Sequence, residues 1–332
     1  MADSQELIET FEARARRRES RRAFFVNAAA AAAGTAAFAY ANAAAAQTAP
    51  SNADILNFAL NLEYLEANFY AFAVTGAPLA AADISGATGT NSTAGAATGG
   101  RAVNFAGDPN VGQYAREIYE DELAHVRFLR RELASVAVAQ PRIDLSVGPD
   151  SAFGRAAVAS GLPATFDPYA SPENFLLGAF IFEDVGVTAY KGAAPLITDR
   201  IFLEAAAGIL AVEAYHAAIV RTTLYRKGIE TPGLRLIEAT EAISNARDTL
   251  DGRPAEDLVR GIGPDADQGI APGGTEAEPV SNIFPGNTNA IAFSRTPGQT
   301  LNIVYLSAAA VTAGGFFPAG VNGTIRTSAA ST

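Results

Sequence analysis

Four long stretches of the chain carry apolar residues every three or four positions, the spacing of an amphipathic α-helix. The first stretch starts at Ser51, where Asp54 completes a capping box, and it ends at Gly76, a natural helix stop. Its predicted inner face comprises Ile55, Ala59, Leu62, Glu63, Glu66 and Tyr70. Two acids therefore stand where the helical period calls for apolar side chains.

The second and third stretches each start at a capping residue followed by proline, which suits the first helical position. The second starts at Asp108-Pro109 and ends before Pro141, and the third starts at Ser171-Pro172. Their inner faces contain Ile118, Glu122, His125, Leu129 and Leu133 in the second, and Phe180, Glu183, Val187 and Tyr190 in the third.

The fourth stretch spans about residues 198–227 and stops at Gly228, and a shorter helix is predicted at 233–250. Residues 76–107 are small and polar and predict a long irregular loop, a kind of segment that is often functional. Residues 251–285 are rich in glycine, proline and acids. The inner face of the fourth helix comprises Phe202, Ala206, Ile209, Glu213, His216 and Val220.

These elements predict an all-α fold with three parts. Residues 51–250 form a four-helix bundle with long loops between the helices. Residues 251–332 form a C-terminal extension of loops and short helices that wraps the bundle. Residues 1–46 are expected to lie outside the fold.

The N-terminus resembles a twin-arginine export signal, in which paired arginines precede an apolar run. Here Arg21-Arg22 precede residues 23–53, which carry no charge, and the small residues 44–46 precede Gln47 as in a cleavage site. The signal predicts a periplasmic or extracellular protein that uses the twin-arginine export machinery. The alternative is an uncleaved membrane anchor, which the length of the run also allows.

The net charge excludes one class of function. The chain has 24 basic and 35 acidic residues and a formal charge of −11, so it lacks the basic footprint of a nucleic-acid-binding protein. Cysteine is absent, which excludes disulfides, thiolate metal sites and a cysteine nucleophile.

The two histidines of the chain stand in the same local pattern. His125 follows Glu122 by three residues, and His216 follows Glu213 by three. Residues three apart share one face of a helix, so each pair directs two ligand groups at one place. One glutamate from each of two helices and Glu-x-x-His from each of the other two is the ligand set of di-iron and di-manganese bundles.

A count of charge favours metal over a bare polar core. Buried carboxylates are costly unless they are paired or bind metal, and no lysine or arginine lies on the four inner faces. Two divalent ions, Fe or Mn, would neutralise four carboxylates. The predicted ligands are Glu63, Glu122, His125, Glu183, Glu213 and His216. The alternative is a hydrogen-bonded polar core without metal.

An internal repeat relates the two halves of the bundle. Glu63 is followed seven residues later by Tyr70, and Glu183 is followed likewise by Tyr190. Both tyrosines are candidates for hydrogen bonding to ligands, or they are ordinary core aromatics. Glu66 stays open: it is an additional ligand, an acid beside the ligands, or the partner of a surface charge. No residue is assigned a catalytic role.

These helices resemble the ferritin-like superfamily, which includes bacterioferritins, rubrerythrins and manganese catalases. The spacing from Glu63 to Tyr70 resembles the first helix of bacterioferritins. The tail resembles the C-terminal signature of desiccation-related ferritin-like proteins, in the segments Phe293-Ser294-Arg295-Thr296-Pro297, Leu301-Asn302-Ile303-Val304-Tyr305, Gly314-Gly315-Phe316-Phe317-Pro318 and Gly320-Val321-Asn322-Gly323.

The resemblance implies a ferritin-like four-helix bundle and an oxidoreductase that acts on hydrogen peroxide or dioxygen. The alternative is a metal-binding protein that protects during desiccation or oxidative stress without turnover. The chain has no cysteine-rich electron-donor module of the rubrerythrin kind. Whether it forms a homo-oligomer stays open.

Overall fold

Eight α-helices lie within residues 49–252, 267–275, 277–286 and 290–331, which the computed structural model describes. The predicted export signal, residues 1–46, lies outside these residues. The helices are α1 (Asn52–Thr75), α2 (Ala81–Ile84), α3 (Pro109–Leu133), α4 (Ala152–Ala159), α5 (Pro172–Ala193), α6 (Arg200–Glu230), α7 (Leu236–Asp251) and α8 (Pro297–Tyr305).

The loops contain two pairs of hydrogen-bonded strands, each strand two residues long. Strand β1 (Ala97–Thr98) runs parallel to β2 (Ile143–Asp144), and β3 (Gly273–Gly274) runs antiparallel to β4 (Pro279–Val280). The rest is helix and irregular chain, so the predicted all-α fold is confirmed.

The three capped helix starts predicted from the sequence are confirmed, whereas the helices predicted from about 198 and from 233 begin at Arg200 and Leu236. The side chain of Ser51 caps α1 and forms the predicted capping box with Asp54, and Gly76 ends the helix at a φ of 77°. Asp108 accepts a hydrogen bond from the backbone of Val111 at the start of α3. Ser171 caps α5 in the same way. Side-chain caps satisfy amide groups that have no partner inside the helix, which is why they mark helix starts reliably.

Some helix ends differ from the prediction. Helix α3 ends at Leu133 rather than just before Pro141, because the chain turns at Ala134, which has a φ of 49°. The residues that follow then hydrogen-bond to the 76–107 loop, with Ala139 donating to Ala87. Helix α6 continues past Gly228, where a Cβ would come within 2.9 Å of Ile237 on α7. That glycine provides room for packing and does not end the helix.

The bundle is built from two closely packed helix pairs, α1 with α3 and α5 with α6. Helices α3 and α6 each expose one face, whereas α1 is buried around its whole circumference. Polar side chains on the outer side of α1 hold the loops against it. Asn57 bonds the backbone of Val136 and Val138, and Asn61 bonds the backbone of Asn322 through both its donor and its acceptor.

Six buried charges fasten the C-terminal extension to the bundle. Arg295 donates to Asp251 over 2.6 Å and also pairs with Asp267, and Arg247 donates to Asp267 over 2.7 Å. The group also includes Asp184, which follows the predicted ligand Glu183 and accepts from Arg221 over 2.8 Å. Three arginines and three aspartates balance, which removes the cost of burying unpaired charge. The members are Asp184, Arg221, Arg247, Asp251, Asp267 and Arg295.

Candidate metal centre

The six predicted ligands meet in the middle of the bundle. Glu63 comes from α1, Glu122 and His125 from α3, Glu183 from α5, and Glu213 and His216 from α6. All six are buried, and the most exposed of them, His125, has only 8% of its surface accessible to solvent. The three-residue spacing places both members of each Glu-x-x-His pair on the inner face of one helix.

The ligand atoms form two overlapping clusters. One cluster contains Glu63, Glu122, His125 and Glu213, and the other contains Glu122, Glu183, Glu213 and His216. Within each cluster, one ligand atom per residue lies within 4.8 Å of every other. We call the end with Glu63 and His125 position A and the end with Glu183 and His216 position B. Glu122 and Glu213 belong to both clusters, so they would be shared if both positions held an ion.

Both histidines direct Nδ1 at the carboxylates. In position A, His125 Nδ1 lies 3.3 Å from Glu63 Oε2 and 3.6 Å from Glu122 Oε2. In position B, His216 Nδ1 lies 3.0 Å from Glu122 Oε1 and 3.5 Å from Glu183 Oε2. The two positions therefore have closely similar donor sets of imidazole nitrogen and carboxylate oxygen.

The donor atoms lack hydrogen-bond partners, although the site is sealed from solvent. Among the described residues, eleven buried side-chain nitrogen or oxygen atoms have no hydrogen bond, and eight of them belong to the six predicted ligands. Buried polar groups are nearly always satisfied in native proteins, so such a concentration requires a missing partner. Metal cations fit this donor set of carboxylate oxygens and imidazole nitrogens. The eight atoms are Glu63 Oε2, both Glu122 oxygens, His125 Nδ1, Glu183 Oε2, both Glu213 oxygens and His216 Nδ1.

Two buried tyrosines cross-link the halves of the bundle. Tyr70 on α1 donates a hydrogen bond to Glu183 Oε1 on α5, and Tyr190 on α5 donates to Glu63 Oε1 on α1. Each hydroxyl engages one oxygen of its glutamate and leaves the other, Oε2, facing the cluster. The tyrosines thus orient the two glutamates that lie at opposite ends of the site.

The sequence pattern of the ferritin-like domain matches residues 51–226, more than half of the chain. The chain belongs to the ferritin-like family. This ferritin-like chain is 31% identical over 276 residues to the desiccation-related protein PCC13-62 of Craterostigma plantagineum, covering 81% of this chain and 82% of that protein. It is 30% identical over 278 residues to the ferritin-like catalase Nec2 of Nesocodon mauritianus, covering 82% of this chain and 84% of that protein. No solved structure matches it.

Glu66 of this ferritin-like protein lies outside both four-residue clusters but beside them. It is buried, with 5% of its surface exposed. Its Oε1 is 3.3 Å from the point where a Cβ on Gly186 would stand, and the same point is only 2.3 Å from Glu213 Oε2. A glycine at position 186 therefore makes room for two carboxylates at once.

Sequence reasoning missed one residue of the site, Asp121. Asp121 accepts a hydrogen bond from His216 Nε2 at 3.1 Å in the tautomer that leaves Nδ1 free. Asp121 directly precedes Glu122, so the available signal is an acid adjoining the Glu-x-x-His pattern. The repeat aligns Gly186 with Glu66, and a glycine cannot be a ligand; the structure adds that Gly186 leaves space for Glu213.

Without cations, the charges of the site strongly perturb one another. Burial raises the pKa of Glu63 to about 7 although His125 opposes it, and burial together with the charge of Glu122 raises the pKa of Glu213 well above its usual range. Burial lowers the pKa of both histidines, but the neighbouring carboxylates outweigh it and raise the pKa of His125 to about 10 and that of His216 to about 12. The metal-free site therefore holds protons where cations would bind.

Proposed function

We propose that this ferritin-like protein binds two divalent ions, Fe or Mn, and acts as an oxidoreductase on hydrogen peroxide or dioxygen. The observation that carries the proposal is the set of eight buried donor atoms without hydrogen-bond partners, divided over two clusters that share Glu122 and Glu213. Oxygen and imidazole donors suit Fe and Mn.

Charge balance supports two ions over one. Glu63, Glu122, Glu183 and Glu213 carry four negative charges when ionised, and two divalent ions carry four positive charges. Fixed carboxylates in a dry interior need such compensation, because an isolated buried charge is costly. The arginines buried nearby pair with aspartates. Among the described residues, the ligand glutamates form their ion pairs with His125 and His216.

An apolar cavity adjoins the site and favours a small, uncharged substrate. It is lined on one side by Glu66, Val185 and Gly186, and on the other by residues of the C-terminal extension, Ile303, Val304 and Phe316. Among the residues that the structure describes, Glu66 is the only ionisable one in that lining. Burial raises its pKa well above the usual range, and the charges of Glu122 and Glu183 add to the effect. Its carboxyl group can therefore hold and return a proton at the edge of the site.

Hydrogen peroxide is the substrate that needs the fewest additional components. When bound, two redox-active ions would exchange the electrons by which one peroxide is oxidised to dioxygen and another is reduced to water. This exchange balances without an external reductant. Reduction of dioxygen would need a reductant, and the chain has no cysteine-based electron-transfer site. The name of the relative Nec2, a ferritin-like catalase, agrees with peroxide as the substrate.

The test is dioxygen release from hydrogen peroxide by protein loaded separately with Fe or Mn. We expect sustained release that scales with bound metal and is abolished in Glu213→Gln, which removes a shared carboxylate. Glu204→Gln is the matched control, because Glu204 is exposed on the same helix. Metal-loaded protein that releases no dioxygen beyond one stoichiometric event would contradict turnover.

That single-event outcome would favour a second candidate, a metal-binding protein that protects without turnover. The candidate is supported by the relative from Craterostigma plantagineum, which is named a desiccation-related protein. Sequestered Fe could be oxidised once by peroxide and then held by the same carboxylates.

We also propose export through the twin-arginine route, with cleavage near Gln47 and function in the periplasm or outside the cell. The proposal is supported by Arg21-Arg22 ahead of an uncharged run. The intact mass of the protein recovered from the periplasm should correspond to a chain starting near Gln47. A full-length mass found in the membrane fraction would contradict cleavage.

A further inference from the structure

The two halves of the centre match in their ligands but differ in what surrounds them. Asp121 Oδ2 lies 3.1 Å from His216 Nε2, so the histidine of position B has a carboxylate behind it. The repeat aligns Asp121 with Val212, since each residue directly precedes the glutamate of a Glu-x-x-His pair. At the position of α6 that aligns with Asp121, the chain therefore has valine in place of an acid.

A second difference lies on the same side. The repeat aligns Glu66 with Gly186, each three residues after a terminal glutamate of the site. Glu66 reaches from α1 towards α5 and comes close to Gly186, one turn after Glu183. Position A has no counterpart to this carboxyl group, because glycine has no side chain. Both additional acids thus adjoin position B.

We infer that the two metal positions are inequivalent and that position B, between Glu183 and His216, binds the first divalent ion. The inference rests on the proposed two-metal function and adds to it an order of loading and the residues that set it.

The physical reason is the action of carboxylates outside the ligand set. A carboxylate that accepts the Nε2 proton fixes the tautomer in which Nδ1 is free to bind metal, and it increases the basicity of the ring. The negative charge of Asp121 also attracts a cation at position B, on the other side of the His216 ring. Loss of such an outer partner typically weakens metal binding by about 10–100-fold.

Single-position variants allow each site to be measured alone, with Mn²⁺ as the probe. His125→Ala disables position A and leaves B, whereas His216→Ala disables B and leaves A. Calorimetry, together with the electron paramagnetic resonance signal of free Mn²⁺, gives the two dissociation constants. We expect His125→Ala to bind Mn²⁺ about 10–100-fold more tightly than His216→Ala.

Two further substitutions isolate the role of Asp121. Asp121→Asn should weaken Mn²⁺ binding in the His125→Ala background and leave it unchanged in the His216→Ala background. Val212→Asp should have the opposite selectivity, because it introduces an acid at the position that the repeat aligns with Asp121. Since 44% of the Asp121 side chain is exposed and asparagine has the same shape, Asp121→Asn can also be studied with all six ligands present. There it should weaken the first of two binding steps only.

Equal dissociation constants in the two histidine variants would overturn the inference, as would an effect of Asp121→Asn that is the same in both backgrounds. Two equal binding steps in the unmodified protein would have the same consequence while leaving the proposed function intact. Failure of the unmodified protein to bind Mn²⁺ or Fe²⁺ at all would instead refute the proposed function.

Discussion

The substitution Gly186→Ala should cause the site to lose metal, although an added methyl group ordinarily stabilises a helix. Replacing glycine by alanine inside a helix usually gains about 1 kcal/mol, because alanine has the better helix propensity. At Gly186 the new Cβ would stand 2.3 Å from Glu213 Oε2 and 3.0 Å from its Cδ. Ordinary carbon–oxygen contact begins near 3.4 Å. The shared carboxylate of Glu213 must therefore move by about 1 Å.

That displacement is large on the scale of metal coordination. Metal–ligand distances tolerate errors of about 0.2 Å, so a carboxylate displaced by five times as much cannot bridge the same two positions. A hundredfold loss of affinity corresponds to about 2.7 kcal/mol of lost metal-linked stability per ion at saturating metal. This loss exceeds the helix-propensity gain, so the metal-loaded Gly186→Ala protein should be less stable than the metal-loaded parent.

The assay compares metal per chain and melting temperature, with and without metal, in Gly186→Ala and Gly208→Ala. Gly208 lies on α6, is exposed, and has no atom within 4 Å of a new Cβ. The Gly208→Ala protein should have a more stable helix and should keep its metal. The metal-free Gly186→Ala protein should melt close to the metal-free parent, because an unbound carboxylate can move aside. The steric argument fails if Gly186→Ala binds two ions with the affinity of the parent.

Three other results are expected. Glu63→Ala should lose metal as severely as Glu183→Ala and more severely than Glu66→Ala, because Glu66 lies outside both ligand clusters. The measurement is metal per chain after identical loading. If Glu63→Ala alone kept both ions, Glu63 would be excluded as a ligand. Verified chelation should lower the melting temperature and reloading should restore it, because ions that bind only the folded state stabilise it; identical melting curves would argue against a buried centre. Metal uptake near pH 7 should release protons, because the pKa values of His125 and His216 are raised to about 10 and about 12 and both rings must deprotonate to bind. Apparent affinity should accordingly rise with pH, and calorimetry in buffers of different ionisation enthalpy counts the protons, with zero release contradicting the argument.

The sequence predicted the bundle because its decisive signals are local. A capping serine, an N1 proline and an inner face of fixed period each act within a few residues, and α1, α3 and α5 begin at the predicted caps. The ligand pattern was visible for the same reason, since three residues along a helix fix a shared face. The structure brings all six predicted ligands together, and their role in metal binding stays a prediction.

What the sequence could not show depends on distant contacts. The hydrogen bond from Tyr70 to Glu183 joins residues 113 positions apart, and the hydrogen bond from Asn61 to Asn322 joins residues 261 positions apart. Asparagines on α1 are typical of a solvated face, yet here they are buried and hold loops. Helix α4 was missed because its eight residues, rich in alanine, carry too few turns for a periodic pattern.

The buried pairing of Arg295 with Asp251 and Asp267 has a consequence for biosynthesis. Asp267 also pairs with Arg247, whereas, among the described residues, Asp251 has no ion-pair partner until Arg295, 44 residues later in the chain, has been translated. A nascent or prematurely terminated chain would leave Asp251 without its ion-pair partner, a defect that typically costs several kcal/mol. The interior is therefore complete only once the chain has been translated past Arg295, and a polypeptide truncated before that residue is expected to be degraded by cellular proteases.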